Sequence, residues 1–141
     1  MYGQVERKLD DKNRITLPTL FRDVLGSTFF LTIGFDGNAE LRSIENFNEY
    51  VSTIEQQSHF NKDARTLRRM ILGRAMQLSV DSHGRVLLPK NIIDSLAIQK
   101  DIIFIGVGSF VELWAKESYE KMETEYDDEK ISQIAQSLVS S

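Results

Sequence analysis

An α+β fold built from two tandem copies of one small unit is predicted by three observations. A nine-residue phrase occurs twice, as Asp10-Asp11-Lys12-Asn13-Arg14-Ile15-Thr16-Leu17-Pro18 and as Asp81-Ser82-His83-Gly84-Arg85-Val86-Leu87-Leu88-Pro89, at an offset of 85 − 14 = 71. The likeness continues beyond the phrase: Asp23 and Leu25 fall on Asp94 and Leu96, then, after one extra residue, Gly34, Glu40 and Leu41 fall on Gly106, Glu112 and Leu113, and Phe47 on Tyr119. Within each copy, stretches of strand character alternate with short stretches of helical period, so the unit reads β, β, α, β, β, α. A period of about 70 residues is too long for a solenoid repeat and suits two copies of one small domain.

Taken in order, Gly3 to Leu9 alternates loosely and forms a first strand leading into a turn at Asp10 to Asn13. In each phrase an acidic residue opens the turn, and Asn or Gly stands where positive φ is needed. An Arg then begins an apolar strand that Pro stops, so the segment reads as a hairpin tip carrying a cation. Arg14 to Leu17 is the return strand. Pro18 suits the first turn of a helix, whose apolar stripe is Leu20, Phe21, Val24 and Leu25 and whose stop is Gly26. Residues 28 to 35 and Ala39 to Arg42 make a second hairpin about Asp36-Gly37-Asn38. Ser43 can cap a helix burying Phe47, Tyr50, Val51 and Ile54.

Gln56 to Asn61 is a polar connection, and Asp63 to Leu72 reads as a helix with Leu67, Met70 and Ile71 inward. Its Arg65, Arg68 and Arg69 share one face, which is either a nucleic-acid contact or, as charge runs usually are, a solvated or ion-paired face. The second copy repeats the plan: strand Ala75 to Val80, turn Asp81 to Gly84, strand Arg85 to Leu88, and helix Pro89 to Leu96. Strands Ile102 to Val107 and Phe110 to Trp114 follow, then a helix with Tyr119, Met122 and Tyr126 at helical spacing. Ile131, Ile134, Ala135 and Leu138 keep a helical period in a segment that could equally fray. The chain divides into a first unit with its trailing helix (1–60), a linker helix (61–73), a second unit with its trailing helix (74–126) and an acidic, polar tail (127–141).

Composition sets limits on chemistry. The 141 residues are 41% hydrophobic and 27% charged, ordinary for one compact body, yet each half alone is small for a stable core. The halves are therefore expected to share a core or to borrow one from neighbouring subunits. Phe29, Phe30, Phe110 and Trp114 exceed what one thin layer should hide, which predicts an oligomer. There is no cysteine, so disulfides, thiolate metal sites and cysteine nucleophiles are excluded. No apolar run approaches a membrane span and no signal-like segment opens the chain, so a cytoplasmic location is expected. The net charge of −4 is uneven: residues 1 to 111 hold 14 Lys and Arg against 13 Asp and Glu, residues 112 to 141 hold 3 against 8. A nearly neutral body can still present a basic face to an anionic partner.

Neither His59 nor His83 has a partner at metal-ligand spacing, and no phosphate loop or nucleophile motif is present. The expectation is no catalytic residue, no metal, no cofactor and no small-molecule substrate. Asp10 and Asp81 stand four residues before Arg14 and Arg85, which suits a local ion pair or an Asx-type bond to the turn rather than acid-base work.

The phrase Asp-x-x-(Gly or Asn)-Arg-(Ile or Val)-x-Leu-Pro resembles the signature of the AbrB-like, swapped-hairpin fold, a double-split β-α-β unit. Two such units in a chain of this length resemble the MraZ family of bacterial transcriptional regulators. Phe60-Asn61, Ala64-Arg65, Arg69, Leu72-Gly73 and Glu112-Leu113-Trp114 are also similar to that family. The resemblance implies a pseudo-twofold protomer and a homo-oligomeric ring, such as an octamer. It also implies a partner, double-stranded DNA carrying repeated short boxes in the promoter of the cell division and cell wall gene cluster, and hence a nucleoid association.

Carried over residue by residue, the signature's Asp and Arg are Asp10 and Arg14, and Asp81 and Arg85, with Pro18, Gly84 and Pro89 as structural positions of the turns. The resemblance implies DNA contacts from Arg7, Lys8 and Arg22, which flank the first phrase, with Lys12 and Asn13 at its tip. In the second copy Ser79, Val80 and Ile93 replace Lys8, Leu9 and Arg22, leaving Arg85 and His83, so the first copy is expected to dominate. A ring-forming scaffold whose basic tips bind an acidic protein is the rival expectation.

Overall fold

The computed structural model describes residues 1–140. Its strands are β1 (Tyr2–Lys8), β2 (Arg14–Thr16), β3 (Thr28–Ile33), β4 (Ala39–Ser43), β5 (Met76–Ser79), β6 (Arg85–Leu87), β7 (Asp101–Val107) and β8 (Val111–Ala115). The helices are α1 (Thr19–Leu25), α2 (Ile44–Glu55), α3 (Lys62–Ile71), α4 (Lys90–Ser95), α5 (Lys116–Glu123) and α6 (Asp128–Ser140). The strand and helix order of the sequence reading is present in both halves.

The pairing of these strands departs from a simple hairpin at each phrase. β1 does not pair with β2; it runs antiparallel to β7 of the second copy, from Tyr2 opposite Val107 to Lys8 opposite Asp101. β5 likewise pairs with β3 of the first copy. β2 pairs with β6, Arg14 opposite Leu87, Ile15 opposite Val86 and Thr16 opposite Arg85. The result is a six-stranded antiparallel sheet in the order β1-β7-β8-β4-β3-β5 and a separate two-stranded ribbon. The residues around each turn do make the turn, but the strands they join are exchanged between the copies, as the swapped-hairpin resemblance implies.

The register carries the pseudo-twofold. Ile15 lies opposite its own counterpart Val86, and Glu40 opposite its counterpart Glu112, so the axis passes through both pairs. It also corrects one equivalence: Leu41 pairs with Leu31 and its counterpart Leu113 with Phe104, an offset of 104 − 31 = 73. Gly106 therefore takes the place of Ile33, not of Gly34, because the loop after β7 is shorter than the loop after β3.

One face of the sheet and the inner face of the ribbon enclose a single core to which both halves contribute. Ile15, Leu17, Phe21, Phe29, Leu31 and Leu41 meet Val86, Leu88, Ile92, Ile102, Phe104 and Leu113 there. The alternation of β3, β4, β7 and β8 sends the intervening side chains to the other face, which α2 and α5 cover. Phe30 stacks on Phe47 with centroids 4.0 Å apart, and Trp114 meets Tyr119 edge-on at 5.4 Å. Phe29 and Trp114 are thus buried, and Phe30 and Phe110 are half-buried within one chain. They are not the surplus that argued for an oligomer.

Other expectations of burial fail where a helix has too little to rest on. In α1 only Phe21 and Leu25 are buried, while Leu20 and Val24 face outward, as does Met70 of α3. Phe35 lies beyond the end of β3 and is exposed, and Tyr126 is exposed past the end of α5. α6 is a helix, with every described residue exposed. The basic face of α3 is largely committed: Arg68 donates to the carbonyls of Glu55 and Gln57, and Arg65 to that of His59. Two cations thereby fasten the carboxyl end of α2 and the connection after it, where unpaired carbonyls favour positive charge.

The symmetry is broken beneath α2. Arg42, on the face opposite the core, lies 3.7 Å from the Tyr50 ring centroid and 4.3 Å from that of Phe110. It pairs with Glu40 at 2.8 Å and donates to Thr32 Oγ1 at 3.2 Å, with both charged side chains under 10% exposed. Its counterpart is Trp114, whose Nε1 donates to Glu112 Oε1 at 3.0 Å. Removing the cation alone would strand the buried Glu40 carboxylate, so Arg42→Leu is expected to cost about 3–5 kcal/mol in urea unfolding. Glu40→Leu combined with Arg42→Leu should recover most of that loss.

A second prediction concerns helix ends. Gly26 ends α1 with φ +80°, and its counterpart in the second copy is Ala97, held at φ +57°. An L-residue with a Cβ is strained there by roughly 1–2 kcal/mol. Ala97→Gly should therefore raise the unfolding free energy by about 1 kcal/mol, the strain relieved being offset in part by the greater freedom of an unfolded glycine.

Candidate nucleic-acid interface

Each phrase folds into a turn fastened by its aspartate. Asp10 Oδ1 accepts from the amides of Lys12 (2.9 Å) and Arg14 (2.8 Å), and its Oδ2 accepts from Arg14 Nε at 2.9 Å. Asp81 repeats this with the amides of His83 (2.9 Å) and Arg85 (2.8 Å) and with Arg85 Nε at 3.0 Å. The ion pair and the Asx-type bond, alternatives at the level of sequence, therefore coexist on the two oxygens of one carboxylate. Asn13 at φ +60° and Gly84 at φ +77° supply the left-handed residue that closes each turn. Pro18 and Pro89 stand at the caps of α1 and α4 and end the ribbon, directly after the amides of Leu17 and Leu88 donate to the carbonyls of Gly84 and Asn13.

The charge state of both carboxylates follows from this geometry. The Arg14 amide, the Arg14 guanidinium and the Lys12 amide hold Asp10 below the ordinary value of 3.8, against a smaller opposing effect of desolvation. The amides of Arg85 and His83 and the Arg85 side chain do the same for Asp81. Nε of each arginine is held by the aspartate, which fixes the plane of the guanidinium and leaves its outer edge, the two Nη groups, free of the carboxylate. In Arg85 that edge is also 3.5 Å from His83 Nδ1.

The swap redistributes the other cations. Arg22 was expected beside the first turn, but its guanidinium lies against the second: a Cβ at Gly84 would collide with it, while its Nε donates to the Leu17 carbonyl at 2.8 Å. The second turn thus has Arg22, His83 and Arg85, not Arg85 and His83 alone. The reason is the strand exchange: Leu17, just before α1, donates its amide to the Gly84 carbonyl, which seats α1 over the second turn. At the first turn Lys12 is exposed and, among the described residues, unpaired. Lys8 pairs with Asp101 at 2.9 Å, and Arg7 donates to the Glu6 carbonyl at 3.0 Å, both at the end of β1 where the chain leaves the sheet.

The two turns are brought to opposite ends of the β2–β6 ribbon, whose outer face carries Arg14 and Arg85 with the exposed Thr16 and Leu87 beside them. Thr16 and Leu87 were missed as candidate site residues. The signal for them was present: in a two-residue period, positions 16 and 87 share a face with Arg14 and Arg85. Among the described residues no three His, Asp or Glu side chains form a cluster that could hold a metal ion, and no helix is long and apolar enough to cross a membrane.

This arrangement, two exchanged hairpin units about a pseudo-twofold with a fastened Asp-x-x-x-Arg turn at each end of one ribbon, defines the AbrB-like class of swapped-hairpin proteins. Within it, residues 1–70 and again residues 71–140 match the family described as "MraZ protein, putative antitoxin-like". The protein named transcriptional regulator MraZ of Mycoplasmopsis pulmonis is 40% identical over 135 residues, 96% of this chain and 92% of that relative. Its namesake in Mycoplasma mobile is 38% identical over 98% of this chain and 95% of its own length, and that of Thermoanaerobacter 36% over 90% and 89%. The chain belongs to the MraZ family.

The depressed carboxylates give a signed pH prediction. A group whose folded pKa lies below its unfolded value stabilises the fold above the unfolded value and ceases to do so as pH falls through the folded one. The two turns should therefore stay ordered from neutrality down to about pH 3.8 and loosen below it, seen as loss of the distinct amide shifts of Arg14 and Arg85. In an Asp10→Asn, Asp81→Asn double variant, whose amides can still bond the turn, that acid transition should disappear.

Proposed function

We propose that the protein is a sequence-specific DNA-binding transcriptional regulator, acting in the cytoplasm at the nucleoid. In this reading its ring-shaped oligomer binds repeated short boxes in the promoter of the cell division and cell wall gene cluster. The observation that supports it most directly is the outer face of the ribbon, where Arg14 and Arg85 are each held by an aspartate through Nε, which leaves the outer edge of each fork free of the carboxylate. The relatives' name, transcriptional regulator, points the same way.

A two-stranded ribbon fits the major groove, and an oriented guanidinium can bond both acceptors of a guanine edge. Orientation matters because a fork fixed before binding loses less freedom on forming two hydrogen bonds than a free side chain would. Lys12 at the first turn and Arg22 at the second then hold phosphates, which position the ribbon without reading sequence. Because the swap seats Arg22 at the second turn, both ends of the ribbon carry the cations such contacts need. This reading gives the two copies similar weight, where the sequence alone favoured the first. Ring assembly makes weak single contacts sufficient, since boxes repeated at the spacing of the subunits are met at high effective concentration.

The test is selection of a binding site from random duplex DNA with the purified protein, followed by titration of single-residue variants. Arg14→Ala and Arg85→Ala should each cost about 1–3 kcal/mol per contact and relax the preference at one position of the box. Lys12→Ala should weaken binding to all sequences alike and lower the salt dependence. Light scattering of each variant should report the same oligomer as the parent. Failure to enrich any sequence would remove the regulator reading and favour a scaffold with an acidic protein partner.

A further inference from the structure

Leu87 is 61% exposed although it lies within a strand, and it stands directly opposite Arg14 across the ribbon. Its neighbours in the chain, Val86 and Leu88, are buried in the core, so packing accounts for them and not for it. The pseudo-twofold counterpart of Leu87 is Thr16, which stands opposite Arg85 in the same way. The outer face therefore carries two cross-strand pairs related by the axis, Arg14 with Leu87 and Arg85 with Thr16.

We propose that Leu87 is a specificity-determining residue that recognises the 5-methyl group of a thymine beside the base contacted by Arg14. This rests on the DNA-binding reading above. Residues directly opposite in an antiparallel pair have their side chains about 5 Å apart, more than the ~3.4 Å rise between successive bases but within two steps of it, so an Arg and a Leu so paired reach neighbouring bases and not the same one. In the major groove thymine alone among the four bases presents a methyl group, the one apolar feature a leucine can cover. The placement also explains why a surface leucine here is not simply a hydrophobic residue left in water: docking removes both it and the methyl from solvent. Thr16 offers a smaller methyl beside a hydroxyl, so the two halves of the ribbon differ in how strictly they require thymine, and a box read by one protomer is not palindromic.

The experiment measures Leu87→Ala and the parent against a fluorescein-labelled duplex carrying three copies of the selected box, with each thymine replaced in turn by uracil, which lacks only the methyl. The parent should lose about fourfold in affinity at one thymine position, the value of one methyl group returned to water. Leu87→Ala should lose a similar factor on the thymine duplex and show no further loss on the uracil duplex, so the two changes are not additive. Leu87→Met, which keeps an apolar side chain of similar volume, should retain most of the discrimination.

Parent binding that no uracil replacement weakens overturns the inference while leaving the regulator reading intact. So does a Leu87→Ala loss that is equal on thymine and uracil duplexes. A fall in oligomer mass for Leu87→Ala would instead assign the side chain to a contact between copies and also overturn the inference. If the parent selects no sequence at all, the regulator reading fails first and this inference with it.

Discussion

The pairing of β2 with β6 is the constraint on which the rest of the molecule depends. Three residues from each copy, centred on Ile15 opposite Val86, join the halves at the axis and close the core with their inner faces. The same antiparallel register sends the two turns to opposite ends of the ribbon and turns Arg14, Thr16, Arg85 and Leu87 outward together. Neither half could build this alone, because β1 needs β7 and β5 needs β3 for their backbone hydrogen bonds. The swap thus converts two units too small for a core of their own into one body with one core.

Fastening an arginine with a carboxylate four residues earlier serves two levels of structure. At the level of the chain, Asp10 and Asp81 satisfy the turn amides that no strand partner reaches, and their pairing with Nε limits how the long side chain can move. At the level of the surface, the same bond fixes the plane of the remaining donors and leaves them free of the carboxylate. These exposed ion pairs add little to stability by themselves. Their consequence is orientation, which is what a hydrogen-bonding surface needs.

The departures from symmetry say where the duplicated halves have become different. Across the axis at Glu40 and Glu112, the first half buries an arginine between two aromatic rings where the second buries Trp114. The ribbon has Thr16 where its symmetry mate is Leu87, and α1 carries Arg22 where α4 carries Ile93. Each difference lies outside the shared core, which keeps apolar residues at both sets of positions. Packing at a common axis limits change, and the outer faces are free of that limit.

Sequence by itself determined the duplication, the order of strands and short helices, the turn chemistry of the Asp-x-x-x-Arg phrases and, through its resemblance to a family, the class of fold. Each of these is a local matter: a turn, a cap or an alternating run is fixed by residues a few positions apart. Only the tertiary structure decided which strands pair, which turn receives Arg22, that Arg65 and Arg68 hold α2 instead of facing outward, and that Glu40 and Arg42 are buried. Most of those outcomes depend on contacts between residues distant in the chain, such as Tyr2 with Val107 and Arg22 with Gly84, and a local reading naturally returned each turn to its own flanking strands. The exchange of strands between copies leaves every local pattern unchanged while moving its neighbours, which is why the residues of each turn were legible in the sequence and their grouping was not.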